Sequence, residues 1–296
     1  MPRMYPQQLR FYTLILALFV AALATPVRGN EFTHGVLWEI SKPGIPVSYL
    51  LGTIHSDDPR VTQLPPAVAL AFANSRSFTG ELDMSTDSLA QTQKAMLLPE
   101  NESLLSVIGQ SRYQQCVKLM ADYAVPESVV KRMKPWAIAL QLNMPKPVTE
   151  RFLDLSLYQQ AISRGLPVHA LETIPEQIAV FDKLPVAQQI TLLDEAIVNY
   201  QDTPALIDSL IDLYLARDLA GLRSINDDQM QKGDANLAAN VETRLIVMRN
   251  YRMVKRMQPR LREGGAFIAV GALHLPGKEG ILNLLEQQGY LVKYLY

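Results

Sequence analysis

The chain has 296 residues, 48% hydrophobic and 19% charged, with a formal net charge of −1, the balance of an ordinary globular protein with one large domain or two small ones. No run of Lys or Arg tracks a phosphate backbone, and the densest basic stretch, Arg244 to Arg262, alternates with apolar residues as a helix with a solvated face does, so nucleic acid is not an expected partner. The single cysteine, Cys116, has no second thiol in the chain to bridge to and reads as a small buried side chain.

The first elements concern targeting. Met1 to Arg10 carries Arg3 and Arg10 and no acid, Phe11 to Leu23 is apolar apart from Thr13, and Ala22-Leu23-Ala24 offers small residues at a cleavage site. Residues 1–24 therefore read as a secretory signal peptide cut after Ala24, giving a periplasmic or secreted chain with no stable membrane insertion after cleavage. The apolar run is shorter than a spanning helix usually needs, which counts against the rival reading of an uncleaved anchor. Residues 25–296 are expected to form a single domain.

Within that domain, Val36 to Ile40 and Val47 to Ile54 read as two strands joined by a Lys-Pro-Gly turn. A proline-started helix and a short strand ending near Glu81 and Asp83 follow. Residues 85–160 turn helical with no convincing strand, Asn101 being a plausible N-cap, and Val168 to Leu171 returns as a short strand that hands over to Glu172. Residues 175–257 are helical again: Ile190, Leu193, Ile197 and Tyr200 share a stripe, Thr203 reads as an N-cap with Pro204 at the first helical position, and the last helix, Asn236 to Met257, places Leu237, Val241, Leu245 and Met248 at i, i+4, i+8 and i+11. "GAFIAVGALH" is an almost continuous apolar run, as expected of a strand covered on both faces, and one more helix and strand close the chain. The fold class is mixed α/β, with a central sheet built from the N- and C-terminal strands and large helical insertions covering it.

Two of four histidines end apolar strands, each three residues after a glycine, in Gly52-Thr53-Ile54-His55 and Gly271-Ala272-Leu273-His274. In open α/β sheets, functional groups gather beyond the carboxyl ends of the strands. His55, His274, Glu81 and Glu172 all fall at such ends. Two neutral imidazoles with one or two carboxylates form a ligand set for a divalent metal ion, Zn²⁺, Mn²⁺ or Co²⁺, although spacing alone equally allows histidines that satisfy buried carbonyls and glutamates that cap helices. A strand-end carboxylate contributes little to a core, so Glu81→Gln is expected to leave the fold intact. His34 falls in a segment expected to be poorly ordered. His169 alternates with Glu172 onto the opposite face, where core packing is favoured.

The segments "LWEISKPGIPVSYLLGTIHSDDPRV", "ELD", "KPWAIAL", "FLDLSLYQQAISRGLPVHALETIPEQ", "MRNYRMVKRM" and "FIAVGALHLPGKEGILNLLEQQGY" together resemble the TraB/GumN family, related to the Tiki-type metalloproteases. The resemblance implies two GxxH motifs and an acidic residue around one site, and, for the Tiki branch, divalent-metal-dependent cleavage of peptide bonds. Residue by residue it implies His55, Glu81 and His274 as metal ligands, with Glu172 as general base or orienter, and Arg249 and Asn250 as further catalytic residues. The glycine-containing turn expected before Asp154 reads Phe152-Leu153-Asp154 here, which puts any role for Asp154 in doubt. The expected activity is an exported metal-dependent hydrolase, a peptidase acting on a peptide or small-molecule substrate; the alternative is a non-catalytic binding protein for a peptide, signalling molecule or cofactor on the same fold.

Overall fold

The computed structural model describes residues 32–296 apart from 147–148, 150 and 232–234, and gives the backbone alone for 230–231 and 235–238. Residues 1–24, read above as a signal peptide, lie outside the described residues. The described residues form one six-stranded mixed sheet: β1 (Leu37–Ser41), β2 (Ser48–Thr53), β3 (Ser77–Gly80), β4 (Val168–Ala170), β5 (Ala266–Gly271) and β6 (Leu291–Tyr294), in the order β4-β3-β5-β2-β1-β6. The β1–β2 hairpin is antiparallel and β6 pairs antiparallel with β1, whereas β2, β5, β3 and β4 run parallel.

That order explains the sequence pattern. β5 lies between β3 and β2 with helices on both faces, so Ala266, Phe267, Ile268, Ala269 and Val270 are all buried and no alternation with polar residues is possible. Because β2, β5 and β3 are parallel, Thr53, Gly271 and Gly80 end at one edge, where the following residues rise to a crest. Gly52 is required at this edge: a Cβ there would come within 2.9 Å of the Ala272 Cα and 2.7 Å of Leu275 Cδ1. The first glycine-to-histidine turn thus packs directly on the second.

Two hydrophobic cores result, one around the sheet and one among the inserted helices, the latter built on Trp136, Ile138, Leu142, Leu193 and Ile246 among others. Cys116 is buried there, as expected. No helix among the described residues is long and apolar enough to cross a membrane.

Several expectations need correction. Ser103, not Asn101, caps its helix, exchanging hydrogen bonds with Ser106 in a capping box. Thr203 is already inside the helix Thr203–Leu215, and Asp202 occupies the cap position. His34 is ordered, bridged to Asp218 with its ring 6.2 Å from Tyr294. His169 stands on the edge strand rather than in a core, half-buried with Nε2 2.9 Å from an Arg260 guanidinium nitrogen. The helix expected over Asn236 to Met257 is broken by a π turn, Thr243–Val247, between Ala235–Glu242 and Met248–Glu263. Its extra residue moves the inward position from Met248, which is 53% exposed, to Arg249, which is buried. Leu237 is among the residues given by backbone alone.

Candidate active site at the sheet crest

Three strands and one helix bring the site together. His55 follows β2, Glu81 follows β3, His274 sits in the single turn after β5, and Arg249 and Asn250 lie on Met248–Glu263, which crosses the same edge. Thr53, His55, Glu81, Arg249, Gly271 and His274 line one pocket enclosing about 440 Å³ of empty space, mouth included.

Each imidazole is anchored through Nδ1. His274 Nδ1 lies 2.6 Å from Asn250 Oδ1, and the Asn250 amide nitrogen donates to the Glu279 carbonyl at 2.7 Å. That second bond identifies Oδ1 as the atom facing the ring; an amide oxygen only accepts, so Nδ1 carries the hydrogen and Nε2 presents a lone pair. His55 Nδ1 donates to Asp154 Oδ2 at 2.8 Å, and the other Asp154 oxygen accepts from Thr53 Oγ1 at 2.7 Å. Phe152 stacks edge-on against the His55 ring at 5.8 Å between centroids.

Burial pushes His274 down to about 3, with the Arg249 charge adding to the effect, so this ring is neutral near pH 7. His55 goes the other way. Burial opposes its charged form, but the Asp154 carboxylate and its hydrogen bond, with Glu81 behind, outweigh that and lift it to about 9. Glu81 is held down at about 2: burial favours its neutral form, and the charges of Arg249 and the histidines with the Gly271 N–H prevail.

The acidic residues differ in what they can offer. Glu81 Oε1 accepts the Gly271 N–H at 2.7 Å and lies 3.7 Å from His274 Nε2, while Oε2 pairs with Arg249 at 2.6 Å. Glu172 faces away from the pocket, fully buried, with one oxygen on Arg249 at 2.7 Å and the other on Arg252 at 2.9 Å. Committed on both oxygens, it orients Arg249 and has no free atom to act as a base. It is also not a helix cap: Thr173 and Glu176 form the capping box of the next helix.

The donor set fits a divalent ion in its chemistry. Both rings direct Nε2 away from an oxygen-bound Nδ1, the arrangement that outer-shell partners impose on metal-ligating histidine; His274 offers a lone pair there, and His55 does so once its extra proton is lost. His274 Nε2 and Glu81 Oε1 face each other as two lone-pair bearers, a pairing that an ion, or a proton on Nε2, relieves. Among the described residues no three His, Cys, Asp or Glu side chains stand as a ready-made cage, because Gly271 and Arg249 hold Glu81.

A family model for the TraB/PrgY/gumN family matches residues 36–294, from the start of β1 to the last strand, and so takes in every residue of the crest. The chain belongs to the TraB/PrgY/gumN family. Similar members include Metalloprotease TIKI2 of Danio rerio, 25% identical across 88% of this chain and 61% of that protein. Metalloprotease TIKI1 of Homo sapiens is 26% identical across 88% of this chain and 62% of its own length. The uncharacterized protein YbaP of Shigella flexneri is 25% identical across 90% of this chain and 98% of its own. This chain thus spans less than two thirds of these two TIKI proteins and nearly the whole of YbaP.

In this TraB/PrgY/gumN member the crest brings together His55, Glu81, Arg249, Asn250 and His274, with Glu172 one layer behind. Asp154 is the correction: it is 7% exposed and holds His55, glycine turn or not. A signal for it was present. Asp154, Leu157 and Ala161 lie at i, i+3 and i+7 on the buried stripe of Leu153–Ser163, and a carboxylate on an apolar stripe needs a partner inside. Gln177 and Arg252 were also missed, although both fall inside the segments quoted for the resemblance; they contact Glu81 and Glu172 respectively.

Proposed function

We propose that this protein is an exported metal-dependent hydrolase that cleaves peptide bonds, with His55, His274 and Glu81 as the residues that would hold the metal. The observation that carries the reading is the paired anchoring of the two rings: each Nδ1 is fixed by an oxygen acceptor, leaving each Nε2 for a pocket that Glu81 and Arg249 also line. The TIKI names of relatives support a metalloprotease, and the residue 1–24 pattern supports export. A bound divalent ion supplies Lewis acidity for a carbonyl and for water.

The protein's own groups have distinct tasks. Arg249 is pinned by Glu81 and Glu172, so its guanidinium stands at a fixed place in the pocket wall, where an N–H not taken by either carboxylate can donate to a carbonyl oxygen as negative charge develops, without reorganising. Asn250 fixes the His274 tautomer and Asp154 that of His55. In the metal-free protein His55 holds a proton, which it must release before its Nε2 can act as a ligand.

The test uses protein purified without chelators. About one divalent ion per chain is expected by elemental analysis, falling at least tenfold in His55→Ala and His274→Ala, with Asp154→Asn intermediate. Peptide hydrolysis should disappear with EDTA and return with added Zn²⁺, Mn²⁺ or Co²⁺. Wild-type protein that binds none of the three ions and cleaves no peptide sinks the reading in favour of the non-catalytic binder.

A further inference from the structure

The stretch richest in Lys and Arg keeps part of its charge uncompensated. Between Glu242 and Glu263 the chain carries Arg244, Arg249, Arg252, Lys255, Arg256, Arg260 and Arg262 and no Asp or Glu. Four of these cations meet carboxylates: Arg249 on Glu81 and Glu172, Arg252 on Glu172, Arg256 on Glu176 and Arg260 on Glu263. Arg244, Lys255 and Arg262 have no carboxylate partner among the described residues. Lys255 and Arg262 are exposed on the outward face of Met248–Glu263, in line with Met248 and Tyr251 at i, i+3, i+7 and i+14 from Met248, and Arg244 lies one turn earlier in the π turn. Met248 and Tyr251 are each 53% exposed. The outer stripe of the helix that carries Arg249 and Asn250 thus joins unpaired cations to two large apolar side chains in water.

We propose that this stripe is a docking surface for an anionic membrane, with Arg244, Lys255 and Arg262 against lipid phosphates and Met248 and Tyr251 seated among the headgroups. Charge complementarity is the argument for the occupant. The chain as a whole has a formal charge of −1, so the attraction belongs to this face and not to the molecule. Met248 and Tyr251 decide among polyanions. An apolar thioether and a ring with a polar tip lose water favourably at the headgroup boundary, whereas an acidic peptide or a phosphate backbone offers them nothing apolar. The stripe is also convex, about 21 Å of one helix from Met248 to Arg262, a shape that a fluid surface follows without a groove. Docking is peripheral, since no helix among the described residues is long and apolar enough to cross a membrane. Arg249 and Asn250 are buried on the opposite side of this helix, so docking holds the crest about 10 Å, one helix diameter, from the lipid. The proposal does not depend on the hydrolase reading.

The experiment uses the mature chain, residues 25–296, so that the apolar run Phe11 to Leu23 contributes nothing. Protein is pelleted with sucrose-loaded phosphatidylcholine vesicles, with and without phosphatidylglycerol, at low and high salt, and circular dichroism melting checks that each variant folds. Binding should require phosphatidylglycerol and weaken with salt. It should fall at least tenfold in Lys255→Gln/Arg262→Gln, about fivefold for each charge removed, and clearly in Met248→Ser/Tyr251→Ser. Lys118→Gln/Lys131→Gln, which removes the same charge from exposed positions on the inserted helices, should bind as the wild type does. Tyr251→Trp should shift its added emission to the blue on phosphatidylglycerol vesicles and not on phosphatidylcholine. Absence of binding at low salt, or a folded variant of either stripe pair that binds as the wild type does, overturns the proposal. An equal loss in the Lys118 and Lys131 control overturns it too, because net charge and not this face would then be responsible. Capture by polyglutamate or duplex DNA with none by vesicles also overturns it and gives the face to a protein or nucleic-acid partner.

Discussion

Glu81 serves the pocket with one oxygen and the interior with the other. Its Oε2 neutralises a buried Arg249 in a cluster whose other anion is Glu172, so Glu81→Gln leaves the guanidinium with a single counter-charge. The expectation that such a substitution spares the fold is therefore revised: it should cost about 1–3 kcal/mol at pH 7. Because the folded carboxyl sits at about 2 against an ordinary 4.5, its contribution is present above pH 4.5 and is lost as pH falls towards 2. Urea unfolding of both proteins from pH 7 to pH 2.5 should show the difference between them shrinking below pH 4.5. A constant gap down to pH 2.5, or none at neutrality, would show that Oε2 does not hold Arg249 as described.

The π turn governs the element that carries Arg249 and Asn250. Val241 and Leu245 before and within the wide turn, and Arg249 and Met253 after it, are buried, and the extra residue of the turn puts Arg249 rather than Met248 on the inward face. This is why the element itself was legible in sequence while its inward face was misread at Met248. The strands, their parallel ends and the two histidines were legible because apolar runs and glycines are local signals. For Asp154 the buried stripe signalled the need for a partner but not which one, because His55 is 99 residues distant and only the fold brings them together. The helix Ala235–Glu242 carries its own anomaly. Glu242 is 1% exposed, its Oε2 has no hydrogen-bond partner, and burial with the nearby Asp227 charge pushes it up to about 9. The folded state therefore retains a proton that the unfolded chain releases above pH 4.5, and stability contributed by the neutral form drains away as pH rises from 4.5 to 9. Glu242→Gln should raise the melting temperature by a few degrees at pH 8 and by much less at pH 5. An equal effect at both, or destabilisation at pH 8, would mean that Glu242 is charged in the native protein.

At the scale of the molecule, β6 closes the sheet by covering β1, and the Tyr296 carbonyl accepts the N–H groups of Val36 and Leu37 at 2.7 and 2.8 Å. Deleting Leu291 to Tyr296 turns β1, which lies next to the end of the sheet, into a bare edge. Calorimetry should show a lower melting temperature, and sedimentation should show self-association that grows with concentration. A truncated protein as stable and as monodisperse as the full chain would show that β6 is dispensable. β5, which precedes it, has a further consequence in time. The Gly271 N–H reaches Glu81 across 190 residues, a stretch that a ribosome takes roughly 10–40 s to make. Until β5 has been synthesised and inserted between β3 and β2, His55 and Glu81 have neither His274 nor the crest to face. On the proposed reading, the residues that would hold the metal meet only when synthesis is nearly finished.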